Sequence, residues 1–332
     1  MPKISVIIPT YNRAPLLESA IASVLAQTYR AHEIIVVDDG STDNTVEVVH
    51  ERQRNAELKQ VQLRLVRQKQ GGAARARNVG MAASTGDWIA FLDSDDRWLP
   101  EKLERQVNAV TETHAGSSAC VTDASFVNNS ALGKSAFQYA GYDTNDESTV
   151  MDGATKRIVY GYHGFYLQTL LVKKREAIEL GGFDPNFRTC EDSDFFLRLS
   201  LKTSIVRVNR ILVAIDRTPD REIGLIEIGR NEAKSFETQK RLYDKWLVQR
   251  PGLEIHDKEL VHKRLQEIHC GISSLLLLEN RYTEARQSLK TALSYYRTGR
   301  VMTKWLLASI APALAKALVI RQRSARPEEP LL

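Results

Sequence analysis

The sequence predicts an α/β fold, with a mainly parallel central sheet flanked by helices and followed by a C-terminal α-helical appendage. Three observations predict it. Over the first hundred residues, short apolar runs alternate with stretches of helical spacing, the pattern of consecutive β-α-β units. Acidic and glycine-rich clusters fall directly after those runs, at the strand ends where open α/β sheets bind ligands. From about Arg221 onward the strand-like runs stop, and apolar residues recur only at helical spacing. The expected division is a domain over 1–220, with halves at about 1–115 and 116–220, and a helical region over 221–332.

The elements follow in order. Ile4 to Ile8 reads as a buried strand that Pro9 and Asn12 break. Pro15 suits a first helical turn, where its missing N–H has no partner to lose, and Leu16, Leu17, Ala20, Ile21, Val24 and Leu25 follow at helical spacing. Ile34 to Val37 forms a second strand running into Asp38-Asp39-Gly40-Ser41, and Ser41 or Asp43 can cap the helix carrying Val46, Val48 and Val49. Leu63 to Val66 is a third strand, followed by Gly71-Gly72 and a small-residue helix from about Ala73 to Ala83. Trp88 to Leu92 is a fourth and ends in Asp93-Ser94-Asp95-Asp96, before a helix expected near Pro100. Ala119 to Val121, Leu167 to Val172 and Ile205 to Val208 read as further strands, with a polar, loop-rich stretch from about Asn128 to Asp152. In the helical region Leu260, Leu265, Ile268, the Leu275 to Leu278 run, Tyr282, Ala285, Leu289, Ala292 and Leu293 predict paired helices turning at Asn280-Arg281. The pair is like one tetratricopeptide unit, but a single copy lacks the repetition a solenoid needs.

With 332 residues, 43% hydrophobic and 26% charged, the chain is long enough to bury its own core, and collagen-like, disordered and disulfide-stapled classes are excluded. Three dispersed cysteines, Cys120, Cys190 and Cys270, suggest a reducing compartment and no structural zinc. The start runs into a strand pattern without the regions of a signal peptide, so a cytoplasmic location is expected. Net charge is +5, unevenly placed: residues 1–220 carry 26 basic and 28 acidic side chains, while 221–332 carry 20 and 13.

Asp93-Ser94-Asp95-Asp96 is the main chemical signal. Three carboxylates at the end of a buried strand repel one another unless a cation neutralises them, and hard oxygen ligands suit Mg²⁺ or Mn²⁺ with a substrate diphosphate. The alternative is a capping turn, with Asp96 as the cap of the next helix. Asp38-Asp39 can accept hydrogen bonds from a base or a ribose, or serve only as a turn. Gly71-Gly72 allows close backbone approach to a ligand, and the helix start with Arg75 and Arg77 suits phosphate. The segment matches neither G-x-G-x-x-G nor G-x-x-x-x-G-K-[ST], which removes motif support for dehydrogenase and P-loop readings. Glu191-Asp192-Ser193-Asp194 opens an amphipathic helix, where acids favour the macrodipole and the same field keeps a carboxylate ionised, as a general base requires. Arg198 is one turn from Asp194 and within reach of Glu191.

Together V-I-I-P-T-Y-N, V-V-D-D-G-S-T-D, G-G-A-A-R-A-R-N-V-G, W-I-A-F-L-D-S-D-D, G-G-F-D and E-D-S-D-F-F-L-R, over about residues 3 to 215, closely resemble the inverting family 2 glycosyltransferases. That resemblance implies the Rossmann-like GT-A fold and a nucleotide-sugar donor, with a UDP-sugar expected. It also implies roles for individual residues. Pro9, Tyr11 and Asp39 hold the nucleoside, with Asp39 on the base, and Arg75 lies near the base or diphosphate. Asp93 and Asp95 match the D-x-D motif, with Asp95 as metal ligand and Asp93 beside it, while Asp93 and Asp96 are on the nucleotide side, contacting ribose or metal-bound water. Asp192 matches the catalytic base, with Glu191 next to it. The cofactor is then Mn²⁺ or Mg²⁺, and the product is inverted without a covalent sugar intermediate.

Two departures narrow the expectation. The Q-x-x-R-W motif of processive synthases is absent, since none of Trp88, Trp98, Trp246 or Trp305 completes it, so one sugar per acceptor is expected. No run of about 20 uncharged apolar residues provides a membrane span. The acceptor, a glycan or lipid-linked hydroxyl, is expected near Tyr160, Tyr162, His163, Phe165 and Gln168, though His163 equally fits a structural role. Competing classes are a sugar-phosphate nucleotidyltransferase, whose glycine-rich basic loop after the first strand is not seen, and a noncatalytic nucleotide-binding scaffold. The stretch from Arg286 to Arg326 has nine basic residues and no acidic one. A buried helix of the appendage, kinked at Pro312, and peripheral binding to the anionic inner leaflet are both open there; nucleic acid is not expected, because no recognised binding module accompanies the charge.

Overall fold

Among the described residues of the first unit, nine strands form one sheet, in the order β3-β2-β1-β4-β8-β6-β9-β5, with β7 paired to β9. They are β1 (Ile4–Thr10), β2 (Glu33–Asp38), β3 (Gln62–Arg67), β4 (Trp88–Phe91), β5 (Arg97–Trp98), β6 (Ala119–Val127), β7 (Ser148–Val150), β8 (Leu171–Lys173) and β9 (Ile205–Asp216). The computed structural model describes residues 1–113, 116–128, 133–151, 154–160, 164–187, 189–218, 232–249 and 255–324. Contacts divide the chain into Met1–Asp220 and Arg221–Leu332. The central strands read as apolar runs because both faces are covered: Ile4, Val6, Ile7, Ile8, Ile34, Ile35, Val36 and Val37 are all inaccessible to solvent.

Strand direction decides where the polar clusters meet. β1 pairs in parallel with β2 and β4, and β2 with β3, so their carboxyl ends share one edge. β8 is antiparallel to both β4 and β6, which brings the segment before it, including Gln168, to that edge. β6 and β9 are parallel, so Val127 and Asp216 end there too. Helices α1 (Ala14–Leu25), α2 (Thr45–Leu58) and α3 (Ala73–Ala83) connect the first strands. At Gly80 of α3, an added Cβ would lie 2.4 Å from Ile7 Cγ2 and 3.2 Å from Val37 Cγ2, so the helix sits on β1 and β2 at a distance only glycine allows.

Several expected elements extend or change. β6 and β9 run well beyond the predicted Ala119 to Val121 and Ile205 to Val208, through a register shift around Asp123 that an apolar-run reading does not detect. Leu167 to Val172 is not one strand. Leu167–Thr169 is a 3₁₀ turn ahead of β8, because side chains satisfy its carbonyls: Trp98 Nε1 donates to Gln168 O at 3.0 Å and Gln106 Nε2 to Thr169 O at 2.8 Å. The polar stretch from 128 to 152 contains α5 (Ala136–Tyr139), held by a Ser135-Gln138 capping box, and β7. Neither Ser41 nor Asp43 is the N-cap of α2, which is Asn44; Asp43 accepts from Thr45 N, the first helical residue, at 3.1 Å, while Ser41 Oγ accepts from Asn12 N at 2.9 Å. Asp96 does not cap the next helix, α4 (Lys102–Asn108); its side chain faces the strand edge. Then follow α6 (Ala154–Tyr160), α7 (Lys174–Glu179) and α8 (Glu191–Lys202).

The second unit is helical in its described residues: α9 (Glu232–Gln249), α10 (Ile255–Leu278), α11 (Tyr282–Tyr295), α12 (Gly299–Ile310) and α13 (Pro312–Ser324). The turn falls at Asn280-Arg281, with Asn280 in the left-handed region at φ 63°. Leu277, Ala285, Leu289, Ala292, Val301, Ala308, Ala315 and Val319 form one core cluster within it, and the chain breaks at Ala311 before Pro312, whose ring cannot continue the preceding hydrogen bonds. Among the described residues no helix is long and apolar enough to cross a membrane.

Gly80→Val places two methyl groups against Ile7 and Val37, and its overpacking outweighs any gain in helix propensity. We expect a loss of about 2–3 kcal/mol, read as a lower urea midpoint by fluorescence of Trp88 and Trp98.

Candidate active site

The nucleotide-side cluster begins after β2. Asp38 is fully buried and committed to the fold: Oδ2 accepts from Arg67 Nε at 2.8 Å and Oδ1 from Ser41 N at 2.8 Å. Asp39 clamps the glycine loop instead. Its Oδ1 accepts from Gly71 N at 2.8 Å and Gln68 Nε2 at 2.6 Å, and its Oδ2 from Gly72 N at 2.8 Å. Gly72 lies at φ +87° with open space around its would-be Cβ, a backbone state suited to glycine that leaves the loop surface clear. Pro9 is half-buried, and Tyr11 and Arg75 are exposed at the same edge.

After β4, the acids are held by four other elements. Asp95 Oδ2 accepts from Arg13 Nη1 at 2.7 Å. Asp96 Oδ1 accepts from Asp216 N, at the end of β9, at 2.8 Å. Gln168 Nε2 donates to Asp93 Oδ2 at 2.7 Å and to Asp96 Oδ2 at 2.5 Å, so one amide ties two carboxylates that would otherwise repel. The fold thus sets Gln168 inside the acidic cluster. Burial holds the Asp96 carboxyl well above the usual carboxylate range, and Asp95 and Asp93 beside it push the same way.

Arg77 joins this cluster to the second one. Its guanidinium, 6% exposed, donates from Nη2 to Asp93 Oδ1 at 2.8 Å and from Nη1 to Glu191 Oε1 at 2.8 Å. Burial opposes its charge, but the two carboxylates overcome that and raise its pKa. Arg77 therefore holds acids, and the expectation that it faces phosphate is corrected: α3 turns it inward while Arg75, two residues earlier, faces out. Burial raises the Glu191 carboxyl, Arg77 opposes this, and Asp192 adds to it. α8 starts after Cys190 in the left-handed conformation at φ 67°, which sets Glu191 and Asp192 in its first turn. Asp192 is half-buried, its Oδ1 accepting from Ser193 N at 2.7 Å. Of the pairing options for Arg198, the structure selects Asp194 at 2.7 Å.

A buried layer lies behind Gln168. Lys102 is fully buried, with Nζ 2.8 Å from Gln106 Oε1 and 3.9 Å from the Trp98 ring centroid. Burial without a carboxylate partner among the described residues pulls its pKa down to about 7. Trp98 and Gln106 in turn fix the carbonyls of Gln168 and Thr169. Sequence reading missed Arg13, Asp216, Trp98, Lys102 and Gln106, which carry no motif. On the expected acceptor side, Phe165 is core, packed 5.5 Å from Phe196, while Tyr162, His163 and the Tyr160 side chain lie outside the described residues.

Among the described residues no three His, Cys, Asp or Glu side chains are grouped to hold a metal ion. Asp93 and Asp95, with side chains 27% and 20% exposed, nevertheless present hard oxygens at the strand edge. Such a pair fits a Mg²⁺-like ion that shares its remaining positions with water and a diphosphate, and does not fit a self-sufficient protein cage.

A mixed sheet with acids, a glycine loop and a helix start at one edge has the form of an α/β nucleotide-binding domain, and the comparisons with known proteins give its class as a glycosyltransferase of the GT-A fold. The profile of glycosyl transferase family 2 matches residues 5–173, just over half of the sequence, and the chain belongs to that family. An uncharacterized glycosyltransferase of Haemophilus influenzae is 33% identical over 241 residues, covering 71% of this chain and 85% of the relative. A putative teichuronic acid biosynthesis glycosyltransferase of Bacillus subtilis, TuaG, is 30% identical over 60% of this chain and 73% of its own length. An uncharacterized Nostoc glycosyltransferase is 52% identical over 105 residues, about a third of either chain. The crystal structure of Staphylococcus aureus TarS residues 1–349 in complex with UDP-GlcNAc superimposes with TM-score 0.69 at 20% identity, covering 98% of this chain and 93% of that one. A Pyrobaculum calidifontis mannosyltransferase in complex with GDP-Man and Mn²⁺ gives TM-score 0.57 at 20% identity, covering 97% and 86%. At that identity the two structures establish the fold alone.

Arg77→Met leaves Asp93 and Glu191 without their shared cation and costs about 3 kcal/mol near pH 7. A carboxyl whose pKa is raised in the folded state weakens stability as pH rises above its unfolded value, and losing Arg77 enlarges that rise. The deficit against wild type should therefore shrink as pH falls toward 4.5, measured by urea unfolding across that range. The lowered Lys102 pKa has the opposite slope: wild-type stability should climb between pH 7 and about 10, by up to about 1.4 kcal/mol per unit. In Lys102→Met that part of the climb should vanish.

Proposed function

We propose that residues 1–220 form the catalytic domain of an inverting, nonprocessive transferase, moving a sugar from a nucleotide sugar, a UDP-sugar, to a hydroxyl of a glycan or lipid-linked acceptor. The observation that carries this reading is the Arg77 bridge, which ties Asp93 on the donor side to Glu191 beside Asp192. Asp39, Pro9 and Tyr11 hold the nucleoside, Asp96 the ribose side, and Arg75 reaches the base or diphosphate. Asp95, with Asp93, holds Mn²⁺ or Mg²⁺, which when bound neutralises charge developing on the departing diphosphate. Asp192 takes the proton of the acceptor hydroxyl as that oxygen attacks the anomeric carbon from the face opposite the leaving group. His163 belongs to the acceptor side of this reading, whereas Gln168, expected there too, acts on the donor side through the Asp93 and Asp96 carboxylates it holds.

UDP-GlcNAc in the TarS complex supports the choice of donor, and Mn²⁺ with GDP-Man in the archaeal mannosyltransferase supports the metal. The name of the Bacillus relative supports a role in cell-surface polysaccharide or glycolipid assembly. With such acceptors we propose a cytoplasmic location, with peripheral contact at the inner face of the membrane as part of the proposal.

The test is a screen of nucleotide sugars with Mn²⁺ or Mg²⁺ for release of nucleoside diphosphate. Asp192→Asn should lower turnover by about 10²-fold or more, Asp95→Ala should do likewise, and chelation should abolish release. Full turnover in both variants refutes the residue roles, and release of pyrophosphate in place of the diphosphate would identify a nucleotidyltransferase.

A further inference from the structure

Helices α12 and α13 of the second unit are apolar on more than the face they bury. Val301, Ala308, Ala315 and Val319 point into the core with Leu277 and Leu289. Met302, Leu306 and Ile310 follow one another at intervals of four along α12, and Leu314 and Leu318 do so along α13, and all five are exposed, Ile310 to 81%. Elsewhere single exposed apolar residues are ordinary; five within seventeen positions, on two consecutive helices, mark a contact surface.

Charge identifies what it contacts. No acidic residue occurs between Arg286 and Arg326, against nine basic ones. Lys304 and Lys316 turn toward the protein, to Ser274 Oγ at 2.8 Å and Asn280 Oδ1 at 2.9 Å. Arg297, Arg300 and Arg321 remain exposed at the two ends of the apolar series. A second copy of this chain meeting the surface through the same face would bring cations against cations; an anionic lipid surface meets both the apolar side chains and the charge. With 12 and 13 residues, the helices reach about 18–20 Å each, short of the roughly 30 Å hydrocarbon core, so they lie in the interface and do not span it.

We propose that the exposed face of α12 and α13 docks on an anionic lipid bilayer, with Leu306, Ile310 and Leu314 entering the acyl boundary and the arginines contacting headgroups. This deepens the reading of an enzyme at the inner face of the membrane and rests on it for location only. The experiment is flotation of the full chain with phosphatidylcholine vesicles, with and without phosphatidylglycerol. Wild type should float with the anionic vesicles, less at high salt, and remain behind with neutral ones. The triple variant Leu306→Ser/Ile310→Ser/Leu314→Ser should lose about tenfold or more in partitioning, with its helix content by circular dichroism unchanged. Equal flotation of wild type and variant overturns the proposal, as does equal flotation of wild type on neutral vesicles or no flotation at all. A wild-type dimer that the triple variant dissolves would assign the surface to self-association and overturn it too. Nucleoside-diphosphate release with a soluble acceptor should be unaffected by the variant. That separate readout distinguishes failure of docking from failure of the transfer reading.

Discussion

The buried guanidinium of Arg77, shared between Asp93 and Glu191, is the contact on which the crevice depends. Acids from β4 and from the start of α8 are 98 residues apart in sequence and would repel across a shared crevice; one desolvated cation holds both at 2.8 Å. α3 can deliver that cation because Gly80, one turn along the same face of the helix, lets it settle against β1 and β2, so a packing detail fixes a charge at the site. Removing the charge would leave two partly desolvated carboxylates without compensation, a penalty larger than the pair's net contribution to folding.

Around this bridge the site is organised in layers. Gln168 separates Asp93 from Asp96, and its own backbone is fixed by Trp98, with Gln106 fixing the next carbonyl and Lys102 beneath both. Because β8 runs antiparallel between β4 and β6, a residue preceding a strand reaches an edge otherwise built from residues that follow strands. The acids are consequently held by fixed dipoles and cations before any ligand arrives, the arrangement that electrostatic catalysis requires. Asp39 performs the corresponding task for the glycine loop, closing it on the chain's own N–H groups.

Charge is divided between the two units in a way the net value conceals. The first unit's slight acidic excess resides partly in clusters suited to a cation and a diphosphate, while the second unit collects basic residues beside exposed apolar ones. Of the alternatives for the basic tail, the buried helix describes one face of these two helices, where Val301 and Val319 are covered; Met302 and Leu318 on the other are exposed.

The alternation of apolar runs and helical spacing was enough to locate the first four strands and α3, because a strand covered on both faces must be apolar throughout and its polar residues accumulate at its ends. For the same reason the acidic and glycine clusters, and the family they resemble, were legible as a linear pattern. The limits of β6, β9 and the turn at Leu167 were not, since a register shift and side-chain hydrogen bonds to backbone leave no periodic trace. Nor could spacing tell that Arg77 turns inward while Arg75 turns out, or that Gln168 reaches Asp93 and Asp96. The sequence by itself determined which chemical groups gather at the strand ends. Only the tertiary structure decided which of them neutralise one another, because charge pairing depends on distances between segments remote in sequence, and those are set by strand order, strand direction and the depth at which each helix packs.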